Sequence, residues 1–349
     1  MSNFMPATPN KPKRIEFIDA MRGFTMFLVV LMHVAARSFN VYGYSDTPSF
    51  HSFFFLVRMP MFFLISGFVL YKDEVVWNLS QIITFFKKKI PVQLIGPFLF
   101  YIAYLSANHY NFIDSIFRPG KSGYWFTYVL FIYFVFYATV RFFIRNGRWS
   151  NVVLIVLGLC MLPCSWPPLK NYLPVPASSL DFLSFQHWHF FLFFVLGTIV
   201  KKHYDLVQTW LDGKWLLTGS ILFFFLVEAF RDFIPIEGYI MGLPLTLTGL
   251  VIMFSFFRKK QKLFSHETKV GRVFQYVGRR TLDIYLIHYF LIPDNLNFVT
   301  VFTDHPMPVL EATASTLISI IIIAFCLLIG NIIRLSPFLA HWFFGVKRA

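Results

Sequence analysis

The sequence predicts an all-α integral membrane protein of about ten transmembrane helices with both termini cytoplasmic, and three observations carry that prediction. Hydrophobic residues make up 57% of the 349 positions and charged residues only 14%, against about 25% charged in an ordinary soluble domain. Apolar runs of about 20 residues, the length that a spanning helix needs, recur from end to end. Lys and Arg gather in the gaps between alternate runs rather than along the whole chain. The same numbers exclude a disordered chain, which needs low hydrophobicity and dense charge. They also leave too little polar residue to cover a soluble enzyme.

Taken in order, residues 1–14 form a polar, Pro-rich tail. It lacks the basic, apolar, then small-residue pattern of a cleaved signal peptide, so the apolar stretch from Gly23 reads as a retained anchor. Spans are expected at 23–44, 50–71, 90–113, 122–140, 149–169, 182–200, 215–233, 238–257, 281–299 and 312–333. Those at 90–113, 122–140, 149–169, 182–200, 238–257 and 312–333 hold no charged residue, and the other four carry between one and three. The spans make one transmembrane domain over 15–340, with a short tail at 341–349 and no room for a second soluble domain. Because the runs are continuously apolar rather than alternating, a β-barrel is excluded.

The basic residues set the orientation. With the N-terminus inside, the inside segments 11–22, 72–89, 141–149, 201–214, 258–280 and 334–349 hold 25 of the 31 Lys and Arg. The other six are Arg37, Arg58, Arg118, Lys121, Lys170 and Arg231. That asymmetry is what the positive-inside rule demands of an even number of spans. The net charge of +14 is therefore mostly topology, the bilayer is the expected partner, and no nucleic-acid partner is expected. The segment 258–280 alone holds eight of the basic residues. It reads either as positive-inside bias or as an electrostatic funnel for a polyanionic cytosolic ligand. Trp125, Trp166 and Trp188 fall near expected outer interfaces, as an aromatic belt would have them. The three cysteines, Cys160, Cys164 and Cys326, lie in apolar surroundings without metal-ligand spacing, so neither a disulfide framework nor a metal site is expected.

An ionisable residue inside a span is a functional-site hypothesis by default. Arg22 stands at the cytoplasmic end of the first span and His33 follows eleven residues later, roughly 16 Å further along a helix axis. Eleven residues are close to three turns, so the two share a face, and Arg37 extends that face outward. His is the side chain suited to take a proton near neutral pH. The competing reading is a neutral His bonded to a neighbouring helix. Arg58 puts a charge in the outer half of the second span and needs a carboxylate, a carbonyl or an aqueous cavity. Ser66-Gly67 offers a small surface for close helix packing, the reading preferred over a nucleophilic serine. Asp283 is expected to pair with Arg279 and Arg280, and His288 lies about two turns further in. Glu228 and Arg231 have the spacing of a structural ion pair. His187 and His189 alternate, so on an α-helix they would face different directions.

These residues sit in a recognisable pattern. Ile18-Asp-Ala-Met-Arg-Gly23 followed by His33 resembles the opening signature of the membrane-bound acyltransferase 3 family, with Asp19, Arg22 and His33 at its motif positions. Met59-Pro-Met-Phe-Phe-Leu-Ile-Ser-Gly-Phe68 resembles the family's second signature, Gly123-Tyr-Trp-Phe126 its Trp-containing helix start, and Ile284-Tyr-Leu-Ile-His288, with Tyr285, its late motif. The four matches keep the family's order over residues 14–290. Lys87-Lys-Lys-Ile-Pro91 stands where family members often carry an Arg-rich motif; it keeps the charge but lacks the planar fork that grips phosphate.

The resemblance implies transfer of an acyl group, commonly acetyl, from cytosolic acyl-CoA to a hydroxyl of an extracytoplasmic glycan, in a multi-pass protein of the cell membrane (for a bacterium, the inner membrane). Acyl-CoA would be the donor substrate, with no tightly bound cofactor, and a carbohydrate the acceptor. Arg22, Lys87, Lys88, Lys89, Arg279 and Arg280 would hold the phosphates of the donor. His33 would deprotonate the acceptor hydroxyl or carry the acyl group, with Arg22 as the second catalytic residue on the same helix face. A carrier or flippase for a glycan or lipid-linked precursor is the alternative, and release of free CoA distinguishes the two.

Overall fold

The computed structural model describes residues 15–39, 51–73, 75–230, 238–294, 296 and 308–346. It is built from α1 (Glu16–Phe39), α2 (His51–Leu70), α3 (Leu79–Ala107), α4 (Trp125–Phe143) and α5 (Gly147–Cys160). There follow α6 (Phe191–Lys202), α7 (Tyr204–Asp212), α8 (Lys214–Ala229), α9 (Gly238–Lys259) and α10 (Lys269–Arg279). The chain closes with α11 (Thr281–Ile287), α12 (Pro308–Arg334) and α13 (Pro337–Phe344). No strand occurs among the described residues. Among the described residues, six helices, α1 to α5 and α12, are long and apolar enough to cross a membrane, counting the 3-10 turn that extends α5 to Ser165. A seventh is added if α7 and α8, bent by 72° at their junction, form one span.

Three expected runs take other forms. The third begins at Leu79, where the Asn78 side chain caps the helix by accepting from Gln81 N–H at 2.9 Å. Lys87, Lys88 and Lys89 therefore lie on a helix rather than in a loop. Pro91 has no N–H to continue the ladder. The chain absorbs it in a wider π turn over Pro91–Ile95, where Gly96 N–H reaches back to Pro91 O. The run at 182–200 opens with a 3-10 turn, Phe185–Phe190, before α6. The run at 281–299 divides into α11 and a second 3-10 turn, His288–Phe290.

α1 is the central helix: 78% of its apolar window is buried, against 22–50% in the other five spans. Its closest neighbour is α10, and the crossing depends on two glycines. A Cβ on Gly23 would lie 2.0 Å from Phe274 O, and one on Gly278 1.9 Å from Asp19 O. The glycine after Arg22 is thus a packing residue that lets α10 lie against the basic end of α1. α2 crosses α6 in the same way, with Gly67 against Phe194 O and Gly197 against Leu64 O. Around this crossing the Phe-rich composition becomes a core of aromatic pairs. Phe63 and Tyr133 are fully buried with ring centroids 5.0 Å apart, and Phe194 lies 5.8 Å from Tyr133.

Candidate active site

Three cavities follow one another along the inside of the bundle. The first, of about 480 Å³, lies at the end of the bundle where α1 begins and α2 ends, and Arg22, Lys72, Lys88 and Lys89 line it. The second, of about 140 Å³, holds Arg22, His33, Arg58 and Tyr285. The third, of about 970 Å³, lies toward the other end and is walled by Arg58, His187, His189 and aromatic side chains. Arg22, Ser66 and Gln93 border both the first and the second. Arg58, Met59 and Trp125 border both the second and the third. Among the described residues, no acidic side chain lines any of the three.

The helical periodicity of α1 brings Arg22 and His33 to one cavity, as their spacing requires. His33 also has a partner that the spacing arguments missed. The Tyr289 hydroxyl stands 3.0 Å from His33 Nε2 and 3.3 Å from Nδ1, with ring centroids 4.9 Å apart. Tyr289 is placed from two sides. Gly123, at φ +95°, carries no side chain, and a Cβ there would lie 1.9 Å from the Tyr289 ring. On the other side Arg37 donates to Tyr289 O at 3.2 Å and holds both oxygens of Asp294 at 2.7 Å. Ser38 Oγ donates to Pro293 O at 2.6 Å. The outer end of α1 therefore ties down the segment that carries Tyr289.

Gly123 ends a run of three left-handed residues, with Lys121 at φ 42° and Ser122 at φ 48°. Non-glycine residues adopt that conformation at a cost of about 1–3 kcal/mol each, and strain of this kind collects at functional sites. Lys121 helps to hold the turn: its Nζ donates to Ile116 O at 2.9 Å beneath the rings of Tyr128 and Phe182. Burial pushes its pKa down to about 8. Tyr285, on α11, donates to Gly123 O at 3.2 Å, so the late motif and the Trp-containing motif meet here.

Trp125 has a specific partner inside the bundle. It stacks on His187 with centroids 3.8 Å apart and planes 14° apart, forming the wall between the second and third cavities. His187 and His189 both line the third cavity, contrary to the α-helical expectation, because they sit on the 3-10 turn. His189 Nδ1 donates to Gln186 O at 2.7 Å. His288 is fully buried behind His33, centroids 5.4 Å apart, and its Nδ1 donates to Ile284 O at 2.9 Å. Ser66 Oγ donates to Phe62 O at 2.8 Å, the backbone bond of a serine in a helix, while facing the second cavity. The packing role falls to its neighbour Gly67.

The basic residues separate into two groups. Lys88 and Lys89 line the first cavity, Lys89 with its Nζ 4.7 Å from the centre of the Phe134 ring. Lys87 is exposed and lines none of the three. Arg279 is likewise exposed and outside them, and it is not the partner of Asp283. That carboxylate, 2% exposed, is held by Arg280 at 3.1 Å and by Arg334 of α12 at 2.7 Å. Arg280 thus braces the start of α11 rather than lining a cavity, and Arg334 ties α11 to α12. Asp19 is buried in the α1–α10 crossing. The expected Glu228–Arg231 pair lies outside the residues whose side chains are described.

The chain belongs to the acyltransferase 3 family, whose model, an acyltransferase domain, matches residues 15–330, nearly its whole length. It is a membrane acyltransferase by family, and its long apolar helices fit a multi-pass protein. No curated protein and no solved structure matches the chain.

Proposed function

We propose that this protein moves an acyl group, most simply acetyl, from cytosolic acyl-CoA to a hydroxyl of an extracytoplasmic glycan. It would do so in a cell membrane, with about ten spans and both termini inside. The observation that carries the reading is a series of three cavities that share lining residues, with His33 in the middle one and no acidic side chain among their described lining residues. A polyanionic donor fits the first cavity, where Arg22, Lys72, Lys88 and Lys89 offer charge-assisted hydrogen bonds to phosphate. Its thioester arm would pass Arg22 and Gln93 into the second cavity. A sugar would enter through the third, whose aromatic wall of Trp125, Trp166 and Phe190 suits the apolar faces of a pyranose.

The chemistry follows from the middle cavity. The small volume there, about 140 Å³, admits the reacting groups and little water. The acceptor hydroxyl gives its proton to His33 while its oxygen attacks the thioester carbonyl. The Tyr289 hydroxyl, 3.0 Å from Nε2, fixes the plane of the imidazole. His33 then returns the proton to the departing thiolate, so each turnover releases free CoA. Direct transfer and a brief acyl-imidazole are both compatible with this arrangement.

The test is thiol release and glycan mass in one experiment. Purified protein in lipid nanodiscs is given acetyl-CoA with an envelope-glycan extract of cells lacking the protein. Stoichiometric thiol release with a 42 Da gain on the glycan supports acetyl transfer. Movement of glycan across vesicles without thiol release would establish the carrier instead.

A further inference from the structure

Arg58 is a charge at membrane depth, on the boundary between the cavity that holds His33 and the chamber beyond. Its guanidinium lies 4.5 Å from the centre of the Phe55 ring, and its buried Nε has no hydrogen-bond partner. Among the described residues, none that lines either cavity is acidic. Two more buried polar atoms without partners, Gln93 Oε1 and Thr127 Oγ1, belong to residues of the same small cavity. A buried cation without a counter-charge costs several kcal/mol, and orphaned polar atoms add to that cost. Two of these atoms, Arg58 Nε and Thr127 Oγ1, carry donors, and free donors beside a histidine describe a space suited to a group that acquires negative charge there.

We infer that Arg58 holds the oxyanion that forms when the acceptor oxygen attacks the thioester carbonyl, an inference that rests on the acyl-transfer reading above. In that step the acceptor O–H proton passes to His33 and a C–O bond forms. The carbonyl π pair moves onto oxygen, facing Arg58. Collapse restores the C=O bond and breaks the C–S bond, and the thiolate takes the proton back from His33. Gln93 marks the side on which the donor arrives and Arg58 the opposite side. The carbonyl, at the tip of the donor, therefore comes to lie between His33 and Arg58. Lys could not replace the residue fully, because one fixed fork of N–H groups is what meets the oxyanion without reorganisation.

The experiment measures thiol release in nanodiscs with acetyl-CoA and the same glycan extract for wild type, Arg58→Ala and Arg58→Lys, together with acetyl-CoA affinity by calorimetry. Expected for Arg58→Ala is a loss of about 10²–10³-fold in kcat with donor affinity unchanged. Guanidinium chloride at sub-denaturing concentration should recover part of that rate. Arg58→Lys should retain more activity than Arg58→Ala but less than wild type, and it alone decides the matter if Arg58→Ala does not fold. Wild-type kcat in both variants, or in Arg58→Lys if that alone folds, would overturn the assignment. So would a raised KM for the glycan at unchanged kcat, which would make Arg58 a reader of an anionic acceptor. So would lost donor affinity, which would make it a structural or donor-binding residue. Absence of thiol release in the wild type would instead sink the acyl-transfer reading beneath it.

Discussion

Tyr289 reaches His33 because Gly123 has no side chain: the phenol ring fills the place of its missing Cβ, and the hydroxyl stands 3.0 Å from His33 Nε2. The contact joins residues 256 positions apart and unites three of the motifs at one point. It has consequences that can be separated by mutation. Tyr289→Phe removes only the hydroxyl, and a hydrogen bond of about 1 kcal/mol corresponds to a roughly five- to tenfold loss of kcat. Gly123→Ala adds a clash with the ring and strain at φ +95°. It should cost at least as much activity and also lower the melting temperature. Thiol-release kinetics and thermal unfolding in detergent measure both. Full activity in Gly123→Ala would show that the phenol does not need this seat.

The Asp283 carboxylate, almost wholly buried, pairs with Arg280 at the start of α11 and joins α11 to α12 through Arg334. Removing the buried carboxylate leaves two partly exposed cations without their partner, at a cost below the ~3–5 kcal/mol of a fully buried pair. Asp283→Asn should therefore lower the melting temperature markedly. Arg279→Ala, at an exposed position, should change stability by no more than about 0.5 kcal/mol. Equal effects of the two substitutions would remove Asp283 from its structural role.

Lys121 gives a pH-dependent test outside the spans. Burial lowers its pKa from the ordinary 10.5 to about 8, so the unfolded chain binds this proton more tightly than the folded one. The penalty is full below pH 8 and disappears as pH rises toward 10.5, so the contribution of this group to stability increases across that window. Relative to Lys121→Met, wild type should gain melting temperature by a few degrees between pH 8 and pH 10. A difference that stays constant with pH would contradict the shift.

How far the sequence reached depends on the range of the interaction. Arg22 and His33 were legible together because helical geometry alone puts them on one face, and the basic asymmetry needs only counting. Tyr289 was hidden beside the motif histidine, His288: the sequence marks both as aromatic or polar residues in an apolar run. Only the 3-10 turn at 288–290 and the open seat at Gly123 decide which one meets His33. Arg334 was invisible as the partner of Asp283 because 51 residues separate them, and the nearer Arg279 satisfied the local rule. Trp125 fitted a general rule about interfaces, whereas its stacking on His187 depends on a turn whose form the apolar run does not reveal. Lys87, Lys88 and Lys89 form one basic group in the sequence; the helical turn that carries them points Lys87 away from the cavity that Lys88 and Lys89 line.

The central claim is that His33 is the base of an acyl transfer carried out between the basic cavity and the outer chamber. The direct measurement is the rate of acetyl-CoA-dependent glycan acylation by His33→Ala in nanodiscs, taken with its acetyl-CoA affinity. General-base loss typically costs about 10²–10⁴-fold. The account predicts a fall of that size with donor affinity and melting temperature near those of wild type. A variant that transfers at the wild-type rate, or one that loses donor binding in step with activity, would contradict it.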